Sequence, residues 1–246
     1  MHVIVHIGTH KTGTTSLQAF LRQHARQLSA AGVHVPVAGT LDPLSGHHNL
    51  AFELYGDSRF DPAAGTWDSL LQELSARAEP RAIVSSEAFE YLVARPEALC
   101  RLEELLTAAG HTVEYWVVFR RPGSHAVSLY GTLLGLGLRQ RFPVFVARLL
   151  WAGRVVMRGR WVFEFRRQRF ISAWRAGSSG RLRIWHHENL AAQQGLLVHV
   201  LEQLHCSGPL LEAAALAPRL NPGLQPHKRW DRRLGAWLID LRFSHA

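Results

Sequence analysis

Lysine is nearly missing from this chain: among its 28 Lys and Arg residues, only Lys11 and Lys228 are lysines. Composition bias explains the arginines but not why a lysine stands at position 11. Cysteine is as scarce. Cys100 and Cys206 are too few for a disulfide framework or a cysteine-built metal site, so a reducing compartment is expected. Fifteen histidines are scattered without a paired-ligand pattern; His47-His48 and His186-His187 are adjacent, so their side chains diverge, and no metal is expected. No run of uncharged residues reaches the roughly twenty that cross a bilayer. The chain enters an apolar pattern within three residues of Met1, without a basic and then apolar leader, which predicts no membrane span and a cytoplasmic location. Acids are outnumbered, leaving a formal charge of +9. That charge suits a polyanionic ligand, with nucleic acid, a membrane surface and a sulfated product all compatible with it.

What is present is a globular core. With 246 residues and 47% hydrophobic content, the chain can form a single large domain. Short apolar runs at 3–7, 33–36, 81–86, 113–119 and 181–185 read as strands, separated by segments of helical spacing, which points to α/β architecture with a central, mainly parallel sheet. Leu17, Phe20, Leu21, Ala25 and Leu28 mark the first helix. Residues 40–65 read as a long loop with one helical turn at 49–55, followed by helices at 67–74, at 96–109 and after Pro122. Residues 139–183 hold twelve arginines against the single acid Glu164, interleaved with aromatics. The part from 139 to 176 reads as helices with buried aromatics and snorkelling arginines, the alternative being a groove for an anionic sugar or for stacked bases. The end, 225–241, reads as an amphipathic helix with Lys228, Arg229, Arg232 and Arg233 on its polar side.

Two stretches carry chemistry. His6-Ile7-Gly8-Thr9-His10-Lys11-Thr12-Gly13-Thr14-Thr15-Ser16 joins the first strand to the first helix. Its glycines permit a tight turn, and the unpaired amides, helix dipole and hydroxyls of Thr14, Thr15 and Ser16 favour an anion beside Lys11. The nucleotide-triphosphate loop GxxxxGK[ST] places its lysine after the second glycine, where this chain has Thr14. No Asp ends the 113–119 strand, so the usual magnesium partner of a nucleotide triphosphatase is also missing. The second stretch is Arg120-Arg121-Pro122, closing that strand, with Ser128 six residues beyond the proline. By itself it reads first as a capped helix with solvated arginines, the alternative being a second phosphate held by the exposed amides beside Pro122 together with Arg120 and Ser128.

Together these stretches resemble sulfotransferases that use 3′-phosphoadenosine 5′-phosphosulfate, of the bacterial or carbohydrate type. Lys11-Thr12-Gly13-Thr14-Thr15 matches their 5′-phosphosulfate loop residue for residue, and Arg120, Pro122 and Ser128 fit their 3′-phosphate motif. Ile83 to Glu87 is similar to their Ser-Ser-Glu strand end, and Arg219-Leu220-Asn221-Pro222 to their late donor-covering loop. The resemblance implies a three-layer α/β/α fold with a P-loop-like start and transfer of a sulfuryl group to a hydroxyl or amine of a carbohydrate or small-molecule acceptor. No metal and no nucleic-acid partner are implied. It further implies donor contacts from Lys11, Thr12, Gly13, Thr14, Thr15, Ser16, Arg120, Ser128, Arg219 and Asn221. Lys11 would stabilise the leaving charge, and Glu87 or His48 would take the acceptor proton, with His47 and His125 as further candidates. A nucleotide kinase-like enzyme and a basic anion- or nucleic-acid-binding module are the rival readings.

Overall fold

The computed structural model describes residues 1–41, 45–218 and 230–244. Strand β1 (His2–Gly8) leads into α1 (Thr14–Gln23), α2 (Ala25–Ala30) and β2 (Val33–His34). Helix α3 (His48–Tyr55), a 3-10 turn at Pro62–Ala64 and α4 (Trp67–Ser75) precede β3 (Arg81–Ser85), which runs into a 3-10 helix at Glu87–Ala94. Next come α5 (Pro96–Ala108), β4 (Thr112–Phe119), α6 (Pro122–Gly135), α7 (Phe142–Ala152), β5 (Arg154–Met157), β6 (Trp161–Glu164) and α8 (Arg167–Gly177). The remaining described elements are β7 (Arg181–His186), α9 (His187–Ala192), α10 (Gly195–Gln203), α11 (Pro209–Leu216) and α12 (Trp230–Phe243).

Five strands form one parallel sheet in the order β2-β3-β1-β4-β7. Both faces are covered, so successive residues of one strand enter different cores. Val3, Val5 and Ile7 join the core built with α3 to α8, whereas Ile4 joins the one built with α1, α2, α10 and α11. Fully burying each such side chain stabilises by about 1.5 to 3 kcal/mol. Strand β1 pairs with β3 on one side and β4 on the other, and the chain changes direction between them. In open parallel sheets ligands bind at that switch point, outside the carboxyl ends of the strands.

Several expectations are corrected. The first helix is two, because His24 leaves helical geometry, its ring lying against Phe20 and its Nδ1 paired with the Phe20 carbonyl at 3.1 Å. The strand expected at 33–36 is paired only at Val33–His34. Within 40–65, the expected single turn is the full helix α3, since the Asn49 amide donates to the Asp61 and Gly65 carbonyls and fastens the following chain to it. The 139–176 segment is not all helical. An antiparallel hairpin, β5-β6, separates α7 from α8, and Arg158 and Gly159 at its tip both have positive φ, so the chain reverses there. The polar face expected on the last helix is found only in part: Arg233 is exposed and Arg232 half-buried, but apolar residues share the outward side. Gly235, Ile239 and Phe243 are buried, and a Cβ added at Gly123 of α6 would lie 2.3 Å from the Ala236 carbonyl. So close an approach needs small residues inward, which leaves Trp230, Leu234, Trp237 and Leu241 outward. Lys228 and Arg229 lie outside the described residues.

Candidate active site

The loop between β1 and α1 is built from inside. A Cβ at Gly8 would fall 2.2 Å from Thr14 Oγ1, so only glycine lets the first turn of α1 lie against the strand end. Thr9 Oγ1 donates to the Val118 carbonyl at 2.6 Å, and Thr12 Oγ1 donates to the Thr9 carbonyl at 2.7 Å. Both threonines are buried, so the Thr12 hydroxyl shapes the loop rather than facing out of it. Lys11 has φ 72° and Gly13 φ 93°; a lysine held there costs roughly 1 to 3 kcal/mol and persists only where its surroundings impose it. One imposing group is Arg120, whose Nη1 donates to the Lys11 carbonyl at 3.0 Å. Gly13 caps α1 without a side chain, and no described side chain accepts from the amides of Thr14 or Thr15. Thr14 is buried, Ser16 half-buried and Thr15 exposed.

On the β3 side of this loop the structure gathers Glu87 and His48. Glu87 follows β3 and opens the 3-10 helix; His48 opens α3, with its Nε2 3.8 Å from Glu87 Oε2. Gln18 of α1 donates to Glu87 Oε2 at 3.0 Å, and Ser86 Oγ pairs with His48 Nδ1 at 2.8 Å. Burial lowers the His48 pKa, opposed by Glu87 and aided by His10 and Arg59. His47, by contrast, is scaffold. Its Nδ1 accepts from the Ser85 amide at 3.1 Å, its Nε2 donates to the Pro36 carbonyl at 3.0 Å, and burial pushes its pKa down to about 4. Both nitrogens of a neutral ring are used, which removes His47 from the candidate bases.

A cluster without a local sequence pattern lies beside Lys11. Glu90, fully buried, accepts through Oε2 from both the His10 amide at 3.0 Å and His10 Nδ1 at 2.8 Å, while its Oε1 is buried without a partner. Tyr91 pairs with His10 Nε2 at 3.0 Å, and burial raises the phenol pKa so that it stays protonated and donates. The Tyr91-His10-Glu90 chain thus orients the residue before Lys11. Its one sequence signal is the place of His10 inside the loop; Glu90 reaches it only because β1 and β3 are neighbours.

On the β4 side stand Arg120, His125 and Ser128. Two amides expected to favour a second phosphate are not open: Arg121 N donates to Glu188 at 2.8 Å and Gly123 N to Asp240 at 2.7 Å. Several side-chain atoms here are left without partners. Arg120 Nε, His125 Nε2, Ser128 Oγ and Arg167 Nε are all buried and unpaired. Burial lowers the pKa of Arg120 and Arg167, and that of His125 to about 4. Arg219 and Asn221 lie outside the described residues. Among those described, no group of three or more His, Cys, Asp or Glu side chains is placed to hold a metal ion, and no helix is long and apolar enough to cross a membrane.

No protein-family model matches the chain, and no curated protein matches it in sequence. A sulfotransferase from Alicyclobacillus acidocaldarius is similar in structure with a TM-score of 0.55 at 13% identity, over 98% of this chain and 92% of that one. A mouse sulfotransferase complexed with PAP gives a TM-score of 0.46 at 13% identity, over 95% and 75%. The parallel sheet with helices on both faces is therefore a three-layer α/β/α arrangement of the sulfotransferase type.

Proposed function

We propose that this protein is a sulfotransferase that takes a sulfuryl group from 3′-phosphoadenosine 5′-phosphosulfate and transfers it to a hydroxyl or amine of a carbohydrate or small-molecule acceptor. The observation that carries the reading is the bond from Arg120 to the Lys11 carbonyl. One guanidinium props the turn that presents the loop lysine and also lines a pocket at the carboxyl end of β4 that holds unpaired nitrogens of Arg120, His125 and Arg167 beside Glu164. Two anion-seeking sites sharing one residue suit a ligand with two separated phosphates.

In this reading the amides and hydroxyls opening α1 hold the 5′-phosphosulfate, and Arg120 and Ser128 hold the 3′-phosphate. Arg219 and Asn221 are assigned to covering the donor. Lys11 meets the charge that grows on the bridging oxygen as the sulfur–oxygen bond breaks. Glu87, fixed at the end of β3 by Gln18, removes the acceptor proton, with His48 beside it as an acceptor contact and second base candidate. Nothing covalent is asked of the protein, since positioning and charge neutralisation suffice for in-line transfer.

Titrating the purified protein with adenosine 3′,5′-bisphosphate and with ATP, each with and without magnesium, tests the assignment. The bisphosphate should bind tighter and independently of magnesium. Magnesium-dependent preference for ATP would instead make it a kinase-like enzyme, and binding of both that collapses steeply with salt and survives Lys11→Ala would make it a general anion-binding module.

A further inference from the structure

The first turn of α6 has two of its amides occupied by Glu188 and Asp240. An anion beside it must therefore be held by side chains. The pocket there is lined by Thr9, Arg120, His125, Glu164, Phe165 and Arg167. Three of these carry buried nitrogens with no partner: Arg120 Nε, His125 Nε2 and Arg167 Nε. His125 is only 5% exposed. A buried donor left unpaired carries its full desolvation cost, and a guanidinium cannot shed its charge to escape it. The acids nearby relieve them only in part: Glu188 opposes the burial of Arg120 and Arg167, and Asp240 that of Arg167, but none of these acids hydrogen-bonds the unpaired nitrogens. Glu188 is engaged by the Arg121 amide, and Glu164 accepts from the Arg166 amide at 3.1 Å and lies 3.6 Å from Arg169 Nε. The walls are set by packing: His125 stacks on Phe165 with centroids 4.7 Å apart, and the Arg167 guanidinium lies 5.7 Å from the Phe119 ring centroid.

Arg120 cannot surround a phosphate by itself, because its Nη1 is committed to the Lys11 carbonyl. We propose that Arg167, at the start of α8, is the second guanidinium of the 3′-phosphate site and decides, with Arg120, that the donor must carry that phosphate. The inference rests on the donor assignment above. It also accounts for part of the arginine-rich segment, since the β5-β6 hairpin delivers α8, and with it Arg167, to the carboxyl end of β4.

The test is calorimetric titration of adenosine 3′,5′-bisphosphate and 5′-AMP, at fixed ionic strength, into wild type, Arg167→Ala and Arg167→Lys, with thermal midpoints recorded as a check on folding. Arg167→Ala should weaken the bisphosphate by about 30- to 4,000-fold, the range for stripping one partner from a desolvated charge pair, and 5′-AMP by less than about 3-fold. Arg167→Lys, which keeps the charge but loses the fork, should fall between. If wild type prefers the bisphosphate and Arg167→Ala keeps that preference in full, or loses both ligands equally, the role of Arg167 is overturned while the donor assignment stands. If wild type itself shows no preference, the donor assignment falls and this inference with it.

Discussion

The two sides of β1 meet opposite fates at the same edge of the sheet. Toward β3, carboxylates and histidines pair with one another: Glu90 with His10, Glu87 with Gln18 and His48, His47 with backbone on both nitrogens. Toward β4, two acids are spent on backbone amides while guanidinium, imidazole and hydroxyl groups stand buried and unpaired. The helix starts differ in the same way, α1 having open amides at Thr14 and Thr15 and α6 having its own covered at Arg121 and Gly123. Apart from Glu90 Oε1 and His6 Nε2, the polar groups named on the β3 side satisfy one another and are preorganised; the unpaired donors on the β4 side are those that the proposed sulfuryl donor would satisfy. Chemistry is thereby expected on the β3 side and donor binding on the β4 side, with Lys11 between them.

That division is broken most sharply by Glu87→Gln, which should lower kcat about 10²- to 10⁴-fold while leaving affinity for adenosine 3′,5′-bisphosphate nearly intact. Loss of nucleotide binding instead would put Glu87 among the donor contacts, and unchanged turnover would pass the base role to His48. The mirror experiment is Arg120→Ala. It should weaken the bisphosphate by about 2 to 5 kcal/mol and 5′-AMP less, although not negligibly, since Arg120 also props the Lys11 turn. An equal loss for both nucleotides removes Arg120 from the second phosphate. Lys11→Ala should reduce kcat about 10²- to 10³-fold, roughly 3 to 4 kcal/mol, as for loss of one oxyanion donor. Lys11→Arg should recover little, and turnover near wild type in Lys11→Ala would end the catalytic assignment.

A further effect is on stability and concerns both sides at once. His6, His47 and His125 are each pushed down to about 4 by burial, with Glu87 and Glu90 opposing it at His6 and His125. Between the unfolded value near 6.5 and the folded value the unfolded chain binds more protons. Stability is therefore fully present above pH 6.5 and is lost as pH falls toward 4, each histidine contributing up to about 1.4 kcal/mol per pH unit in that window. Thermal midpoints measured from pH 7 to 4 should fall steadily; a flat profile would mean that these rings are not buried neutral.

Local chemistry was legible in the order of residues. The loop from Gly8 to Ser16 could be placed between strand and helix because β-prone alternation and 3.6-residue spacing are properties of neighbouring residues. Lys11, Gly13 and Arg120 were singled out by type and spacing, and all five strands of the sheet sit where their apolar runs placed them, β2 being shorter by two residues and β3 by one. Local pattern was misleading where distant residues overrode it. The hairpin inside 139–176 depends on positive φ at Arg158 and Gly159, an arrangement that buries Trp161 and Phe163 against Tyr91 and His10. The outward face of α12 holds more large apolar residues than expected, because the backbone at Ala236 lies close against Gly123 of α6.

By itself, then, the sequence determined the α/β alternation, the glycine-threonine loop between the first strand and helix and a second, basic turn after the central strand, since each is encoded within about a dozen consecutive residues. Only the tertiary structure decided which acids and bases meet. Glu90 finds His10 across 80 residues, Glu188 finds Arg121 across 67 and Asp240 finds Gly123 across 117. Those pairings follow from strand order and helix docking, and they settle which polar groups are satisfied within the fold and which are left without a partner.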